Sequence, residues 1–149
     1  MASVLIDSNI LLRLAQPVHP QSPVASAAIA ALRKSNSDLC LAPQNLVEFW
    51  VVATRPISNN GLEMNPAKVA SEIRRLRNLF RLLEGVPGVA DAWETLVGKY
   101  QVSGKLAHDA HLIATMLVHN VRHLLTFNGD DFKRFSAVEV IEPASVSQS

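Results

Sequence analysis

The chain has 149 residues, a length that suits one domain with one hydrophobic core and leaves little room for a second. Hydrophobic residues make up 48% of the sequence, so a packed globular domain is expected and a disordered chain is excluded. The formal net charge is only +1, which means that any nucleic-acid-binding surface must be local.

Cysteine content and the terminal segment bear on the compartment. Cys40 is the only cysteine, which excludes an intramolecular disulfide and is typical of an intracellular protein. The first residues lack the basic segment and the long apolar stretch of a signal peptide. No apolar run reaches the roughly 20 residues that a membrane helix needs. We therefore expect a soluble cytoplasmic protein that does not contact a membrane.

The hydrophobic patterns predict alternating strands and helices in the first third of the chain. In chain order they are a strand over 3–6, a short helix over 10–14, an Ala-rich helix over 22–34, a strand over 39–42 and a helix over 43–54. Asp7 or Ser8 is the expected cap of the first helix, and Pro43 suits the first turn of the third.

Further along, a loop is predicted over 57–65, and then a long helix that Asn65 caps and whose apolar stripe extends to Leu83. The remaining predicted elements are a turn over 85–88, helices over 90–102 and 108–119, a strand over 121–126, a turn or short helix over 128–134, a strand over 138–141 and a fraying tail from 143. Strands that alternate with helices favour an α/β fold whose parallel sheet is covered on both faces.

Two acidic residues stand out because their neighbours are apolar. Asp7 follows the first strand directly, where ligands of parallel sheets bind, and Glu48 is the only charge between residues 46 and 53. A charge in a helix that is apolar nearly all round needs a partner or a metal ion, because unpaired burial is costly. The structural alternatives are a helix cap for Asp7, and an exposed stripe or a pair with Arg55 for Glu48.

Two further acidic positions come late in the chain. Asp109 begins a predicted apolar helix, where the helix dipole alone favours an acid. The sequence Asn-Gly-Asp-Asp at 128–131 follows a strand, where Asp and Gly are also ordinary turn residues. Acids at four such places can converge on one cleft. Converging carboxylates raise each other's pKa unless a cation neutralises them, and hard oxygen ligands select magnesium or manganese over zinc.

Four stretches resemble the motifs of the PIN domain family, in order and with fitting spacing. They are Val-Leu-Ile-Asp-Ser-Asn-Ile-Leu-Leu at 4–12, Glu48 in its apolar helix, Asp-Ala-His-Leu-Ile-Ala at 109–114, and Leu-Leu-Thr-Phe-Asn-Gly-Asp-Asp-Phe at 124–132. Within the family, the chain most resembles the VapC toxins of bacterial toxin–antitoxin pairs. It departs from the pattern at Asn128, where many relatives carry Asp.

The resemblance implies a three-layer α/β/α domain with a parallel sheet of strand order 3-2-1-4-5, which we place at residues 1–142, before a disordered tail at 143–149. It also implies an endoribonuclease in which Mg²⁺ or Mn²⁺ activates the water that hydrolyses RNA, a homodimer, and a cognate antitoxin. The expected catalytic residues are Asp7, Glu48, Asp109 and Asp131, and the expected metal ligands are the same four together with Asn128. Ser8 and Thr126 are candidates to orient a carboxylate or a water, and Asn9 to order the first turn.

Other side chains have plainer interpretations. His108 and His111 flank Asp109, but no second cluster of His or Cys completes a zinc site, and a phosphate contact is the more modest alternative. Trp50 and Trp93 are predicted to lie in the core. The basic residues of the long helix form a solvated face or contact an RNA backbone: Lys68, Arg74, Arg75, Arg77 and Arg81.

Two other functions compete with the ribonuclease. Asn128 is the motive for a catalytically weak PIN-like module that binds RNA or protein, although Asp7, Glu48 and Asp109 are all present. A phosphotransferase or phosphatase with Asp7 as its nucleophile would favour a second acid two residues on, where this chain has Asn9. Metal titration separates the first alternative, and trapping of a phospho-aspartate separates the second.

Overall fold

The structure is a computed structural model that describes residues 2–147. Within these residues, five short strands are β1 (Ser3–Ile6), β2 (Asp38–Leu41), β3 (Arg81–Leu82), β4 (His123–Leu125) and β5 (Glu139–Ile141). The helices are α1 (Ser8–Leu14), α2 (Ser22–Lys34), α3 (Pro43–Thr54), α4 (Pro66–Leu79), α5 (Val89–Tyr100), α6 (Leu106–Val118) and α7 (Pro143–Ser147). Single 3-10 turns lie at Ile57–Asn59 and Gly129–Phe132.

The strands form one parallel sheet of order β3-β2-β1-β4-β5, which confirms the predicted topology. β1 is central, and its residues Val4, Leu5 and Ile6 are at most 1% exposed. A strand buried on both faces needs a continuous apolar run, and this is the pattern that predicted it. The strand order reverses between β1 and β4, which places the carboxyl end of β1 at the edge where ligands of such sheets bind.

Helices cover both faces of the sheet, so the domain has three layers. Successive side chains of a strand point to opposite faces. Val4 and Ile6 therefore pack into one core, with side chains of α1, α2, α3 and α4, whereas Leu5 packs into the other, with side chains of α5 and α6. Among the described residues, no helix is both long and apolar enough to cross a membrane.

The long predicted helix is shorter in the structure, because its last apolar positions belong to a strand. α4 ends at Leu79, and Arg81–Leu82 pairs with β2 as the edge strand β3. The Arg81 guanidinium donates to Asp38 of β2 at 2.6 Å, and the backbone amide of Leu83 donates to the Leu41 carbonyl at 2.7 Å. Two residues are too few to show a strand period, so the pattern alone extended the helix.

The prediction of a disordered tail is wrong for the part that the structure describes. Residues Pro143–Ser147 form α7, which packs against α2, and Val146 contacts the first core. Residues 148 and 149 of the predicted tail lie outside the described residues. The segment is short and polar in sequence, but an adjacent helix supplies the apolar surface that makes it fold.

Candidate active site

Asp7 lies at the carboxyl end of β1 and caps α1. Its Oδ1 accepts a hydrogen bond from the backbone amide of Ser8 at 2.8 Å, and its Oδ2 accepts from the Thr126 hydroxyl at 2.8 Å. The side chain is only 6% exposed. The capping interpretation is therefore confirmed, and it leaves room for a role in a site, because one carboxylate oxygen caps the helix while the other faces the end of the neighbouring strand.

Thr126 orders this end of the sheet. It follows β4, the neighbour of β1, and it is fully buried. Its Oγ1 donates to Asp7 and accepts from the side-chain amide of Asn9 at 3.0 Å, while Asn9 Oδ1 accepts from the backbone amide of Phe127 at 3.2 Å. The predicted roles of Thr126 as a group that orients a carboxylate, and of Asn9 in ordering the first turn, agree with these contacts.

Glu48 enters from α3 and meets Asp7 through a shared hydroxyl. The Ser8 hydroxyl donates to Glu48 Oε2 at 2.9 Å and lies 3.5 Å from Asp7 Oδ1. Glu48 is half-buried, as an acid on a largely apolar helix must be if it faces a site. Arg55, the alternative partner weighed from the sequence, donates instead to the Asn60 carbonyl at 3.3 Å.

Gln44 is a residue of this network that the sequence analysis missed. Its side-chain Nε2 donates to Glu48 Oε1 at 3.0 Å and to the His108 carbonyl at 2.8 Å. Both partners can only accept, so the amide nitrogen must face them, and Gln44 Oε1 accepts from Nδ1 of His111 at 2.8 Å. Gln44 thus joins α3 to α6. The one available signal was its position four residues before Glu48, on the same helix face.

A cavity of about 630 Å³ opens between α3 and α6. Glu48, Asp109 and Asp131 line it together with Arg55, Lys105 and His108. Asp7 is too buried to line the cavity, although the Ser8 hydroxyl connects it to Glu48.

Asp7 and Asp109 both have raised pKa values, and the charges of neighbouring acids are among the causes. Burial raises the pKa of Asp7 to about 6, and the charge of Glu48 adds to this, while hydrogen bonds from Thr126 and Ser8 act in the opposite direction. The pKa of Asp109 is also raised to about 6, first by burial and then by the charges of Asp131, Asp7 and Glu48. Three of the predicted catalytic acids, Glu48, Asp109 and Asp131, therefore line one cavity, and the fourth, Asp7, lies next to Glu48 beneath the Ser8 hydroxyl.

The family follows from a match over most of the sequence. The model of the PIN domain family matches residues 4–138. The chain belongs to the PIN domain family. No curated protein matches it significantly by sequence.

Several solved structures share this fold. VapBC-1 from nontypeable Haemophilus influenzae is similar with a TM-score of 0.69 and 17% identity, over 95% of this chain and 98% of that chain. VapBC2 from Rickettsia felis, bound to a DNA fragment from its promoter, has a TM-score of 0.69 and 15% identity over 93% and 97%. VapC20 from Mycobacterium tuberculosis, described as a Sarcin-Ricin loop cleaving toxin, has a TM-score of 0.62 and 18% identity over 89% and 95%.

The segment after β4 carries two predicted metal ligands of this PIN domain, Asn128 and Asp131, and only Asp131 lines the cavity. Asp131 is exposed and lines both the cavity and a second depression, which Asn128, Asp130 and Glu142 also line. The structure does not bring the side chain of Asn128 into the cavity. Asp130 is exposed as well and forms an ion pair with Lys133 at 2.5 Å.

The donor chemistry of the PIN domain cavity fits a hard divalent cation. Within residues 2–147, no three His, Cys, Asp or Glu side chains converge closely enough to form a ready metal-binding cluster. Glu48, Asp109 and Asp131 line one cavity instead, with Asp7 buried beside Glu48 across the Ser8 hydroxyl, and the repulsion among these charges is what a cation would relieve. Mg²⁺ usually keeps several waters and takes only one or two protein carboxylates, so it does not need a close cluster, whereas His108 and His111 lack the further ligands of a zinc site.

The two tryptophans of this PIN domain differ in environment. Trp93 is half-buried against the second core and donates its indole N–H to the Ala107 carbonyl at 2.9 Å. Trp50, predicted in the core, is instead 38% exposed on α3, beside Val47 at 63% and Val51 at 49%. An apolar helix face thus remains uncovered next to the cavity, since Val47 and Val51 also line the cavity.

Proposed function

We propose that this PIN domain is a metal-dependent endoribonuclease and the toxin of a toxin–antitoxin pair. One observation carries the proposal: Glu48, Asp109 and Asp131 line one cavity, and the Ser8 hydroxyl connects Glu48 to the buried Asp7. Acids brought together in this way are costly in an apo protein and are favoured where a cation neutralises them. The cation class is Mg²⁺ or Mn²⁺, because every donor is a hard carboxylate oxygen.

The residues that would hold the ion are Asp7, Glu48, Asp109 and Asp131. When bound, the ion supplies a Lewis acid for the phosphodiester and lowers the pKa of a water molecule. The chain itself positions the donors: Thr126 and Ser8 hold Asp7, while Ser8 and Gln44 hold the two oxygens of Glu48. Such hydrogen bonds limit the rotation of both carboxylates, so little reorganisation is needed when substrate arrives.

The similar structures support the toxin part of the proposal. Another similar structure is described as a toxin-antitoxin complex from Klebsiella pneumoniae, and VapC20 is described as a Sarcin-Ricin loop cleaving toxin. By this analogy we assign RNA as the substrate class of this chain. The same fold supports many functions, so the carboxylate cluster and not the fold carries the assignment of activity.

We further propose a cognate antitoxin as the partner. A groove between α3 and α4 has an apolar lining that includes Trp50, Val51 and Ile73, and Val51 also belongs to the acidic cavity. An amphipathic segment of the antitoxin would fill this groove and place an Arg in the cavity, where its guanidinium would pair with carboxylates in place of the cation. A homodimer is proposed as well, because α3 exposes more apolar surface than one domain covers.

Asp7→Asn tests the enzyme directly. It removes the charge but keeps the shape and the capping oxygen of the side chain, so the fold should survive while RNA cleavage in Mg²⁺ or Mn²⁺ is abolished. Asp91→Asn, at an exposed acid in the first turn of α5, is the matched control and should retain full activity. Circular dichroism checks folding. A folded Asp7→Asn protein with undiminished cleavage would refute the assignment.

A further inference from the structure

The cavity that holds the carboxylates is also lined by basic side chains. Arg55 is the C-cap that follows α3, and Lys105 immediately precedes α6, so the two reach the cavity from different elements. Among residues 2–147, neither forms an ion pair with Glu48, Asp109 or Asp131. Opposite charges that face one cavity without pairing leave both sets of groups available to a ligand.

Arg55 is held in place with part of its hydrogen-bonding capacity unused. The loop after α3 folds back on it: the backbone amide of Glu63 donates to the Arg55 carbonyl at 3.0 Å. Gly61 packs so closely on Arg55 that a Cβ there would lie 2.3 Å from Arg55 Cγ. The guanidinium makes one long hydrogen bond, to the Asn60 carbonyl at 3.3 Å, and its buried Nε has no partner. The terminal nitrogens of the guanidinium therefore keep most of their hydrogen-bonding capacity for a ligand in the cavity that Arg55 lines.

The side chain of Lys105 is exposed and forms no hydrogen bond or ion pair among the described residues, whereas its backbone carbonyl accepts from the His108 amide at 3.0 Å. It is the residue before α6, the helix that also carries Asp109. Its ammonium group lines the same cavity as the carboxylates but does not neutralise them by direct contact in this structure. It can contact an anion that enters the cavity next to the cluster.

We propose that Arg55 and Lys105 form a subsite for a backbone phosphate of the RNA strand, adjacent to the phosphate that is cleaved. The inference rests on the proposed function. RNA carries a phosphate on each side of every internal nucleotide, so a strand whose scissile phosphate meets the carboxylates and their cation must place a second phosphate nearby. Arginine and lysine are the side chains that bind such phosphates, and Val47, Val51 and Val52 give the same cavity an apolar surface for sugar or base.

The subsite predicts a strength and a salt dependence for RNA binding. Each phosphate contact to single-stranded RNA contributes a slope of about 0.7 in the dependence of log affinity on log salt concentration. In the Asp7→Asn background, which prevents cleavage, Arg55→Gln and Lys105→Gln should each raise the Kd for a fluorescein-labelled single-stranded RNA by about fivefold or more. Each substitution should also lower the salt slope by about 0.7, the contribution of one phosphate contact. Fluorescence anisotropy in Mg²⁺ measures both quantities.

Two controls make the same chemical changes away from the cavity. Lys34→Gln and Arg122→Gln alter exposed residues that precede β2 and β4, at the opposite edge of the sheet. They should leave the Kd and the salt slope within about twofold of the values for the Asp7→Asn protein. Arg55→Lys keeps the charge and should recover part of the affinity, which separates a phosphate contact from a packing role of Arg55 beside Gly61.

The outcomes distinguish this subsite from the proposed function. RNA binding that depends on Arg55 and Lys105 supports the subsite whether or not the wild-type protein cleaves RNA. RNA binding or cleavage that is insensitive to both substitutions overturns the subsite and leaves the ribonuclease standing. Absence of RNA binding by the Asp7→Asn protein overturns the subsite. Absence of RNA cleavage by the wild type overturns the ribonuclease. A loss of Mn²⁺ affinity in Lys105→Gln by calorimetry would also overturn the subsite, because it would assign Lys105 to the arrangement of the carboxylates.

Discussion

Gln44 and Glu48 lie one helical turn apart on α3, and the side-chain amide of Gln44 donates to Glu48 Oε1 at 3.0 Å. The same amide nitrogen also donates to the His108 carbonyl, and the Gln44 amide oxygen accepts from His111. Gln44 therefore connects the orientation of an acid on one helix to the helix that carries Asp109. It is a positioning residue, since it acts on the proposed metal through another side chain.

Substitution of Gln44 should weaken metal binding without loss of the fold. Gln44→Met keeps the length of the side chain but cannot donate to Glu48, so Mn²⁺ affinity should fall by about tenfold, as is usual for groups that orient metal ligands. Gln16→Met, at a glutamine after α1 whose side-chain oxygen accepts from Arg13 at 2.6 Å, is the matched control and should keep full affinity. Isothermal titration calorimetry measures both. Equal Mn²⁺ affinity in the two variants would show that Glu48 needs no orientation by Gln44.

Thr126 should orient Asp7 as Gln44 orients Glu48, because its hydroxyl donates to a carboxylate oxygen of Asp7. Thr126→Val removes the donor to Asp7 Oδ2 and the acceptor for the amides of Asn9 and Asn128, all at 2.8–3.0 Å. Leaving such buried groups unpaired costs about 1–3 kcal/mol of unfolding free energy, and the pKa of Asp7 should rise further because a hydrogen bond that lowers it is gone. Thr126→Ser keeps the hydroxyl and should retain both stability and Mn²⁺ affinity. Urea unfolding and calorimetry distinguish the pair; identical behaviour of the valine and serine variants would contradict the role of the hydroxyl.

Without metal, stability should depend on pH through Asp7. Its pKa is raised from 3.8 to about 6 on folding, so the folded state holds the proton more tightly than the unfolded state. The free energy of unfolding should therefore fall as pH rises from about 4 to about 6, and this contribution should be flat above. From pH 4.5 to 7.5 in EDTA, the wild type should lose about 2 kcal/mol relative to Asp7→Asn.

Asp38 acts in the opposite sense, because Arg81 lowers its pKa and the stability that it contributes is lost as pH falls. The comparison with Asp7→Asn cancels this effect, since Asp38 is present in both proteins. Urea unfolding at the two pH values checks the prediction, and parallel profiles of the two proteins would refute it. Millimolar Mg²⁺ or Mn²⁺ should remove the loss at pH 7.5, because a bound cation stabilises the ionised carboxylates.

The two aspartates after β4 should differ in their effect on metal binding. Asp131 lines the cavity and its charge raises the pKa of Asp109, whereas Asp130 is paired with Lys133. Asp131→Asn should lower Mn²⁺ affinity by several-fold and reduce cleavage, and Asp130→Asn should change neither. Asn128→Asp should retain activity, and would tighten metal binding if the side chain reaches the ion. Calorimetry on the three variants decides; equal affinities would leave Asp7, Glu48 and Asp109 as the whole site.

The uncovered face of α3 should support assembly. Val47 is 63% exposed, and Val47→Lys places a charge on this face without entering the core. We expect the wild type to be a dimer at micromolar concentration by light scattering, and the lysine variant to be weakened in dimerisation or in antitoxin binding. Val18→Lys, at a residue that is 98% exposed and does not lie on α3, is the control. A monomeric wild type would refute the homodimer, and unchanged antitoxin binding in Val47→Lys would exclude this face as its site.

Much of the fold and most of the candidate site could be predicted from the sequence. The run that forms β1 is apolar throughout because both faces of a central strand are buried, and this contrast also marks Asp7 at its end. Glu48 was visible for the same reason, as a single charge in an apolar helix. These are local properties, since burial selects the residue type at each position and so produces a hydrophobic pattern that can be read from the sequence.

Only the tertiary structure decided the rest. Arg81–Leu82 became a strand because β2 offered it hydrogen bonds, and α7 formed because α2 lies beside it. Thr126 reaches Asp7 across 119 positions of sequence, and Gln44 reaches His111 across 67. Contacts of this kind depend on which strands are neighbours and on how the helices pack. They produce no recognisable pattern in the sequence between the two residues. Sequence patterns therefore identified the acids of the site, while the packing of separate elements determined which side chains orient them.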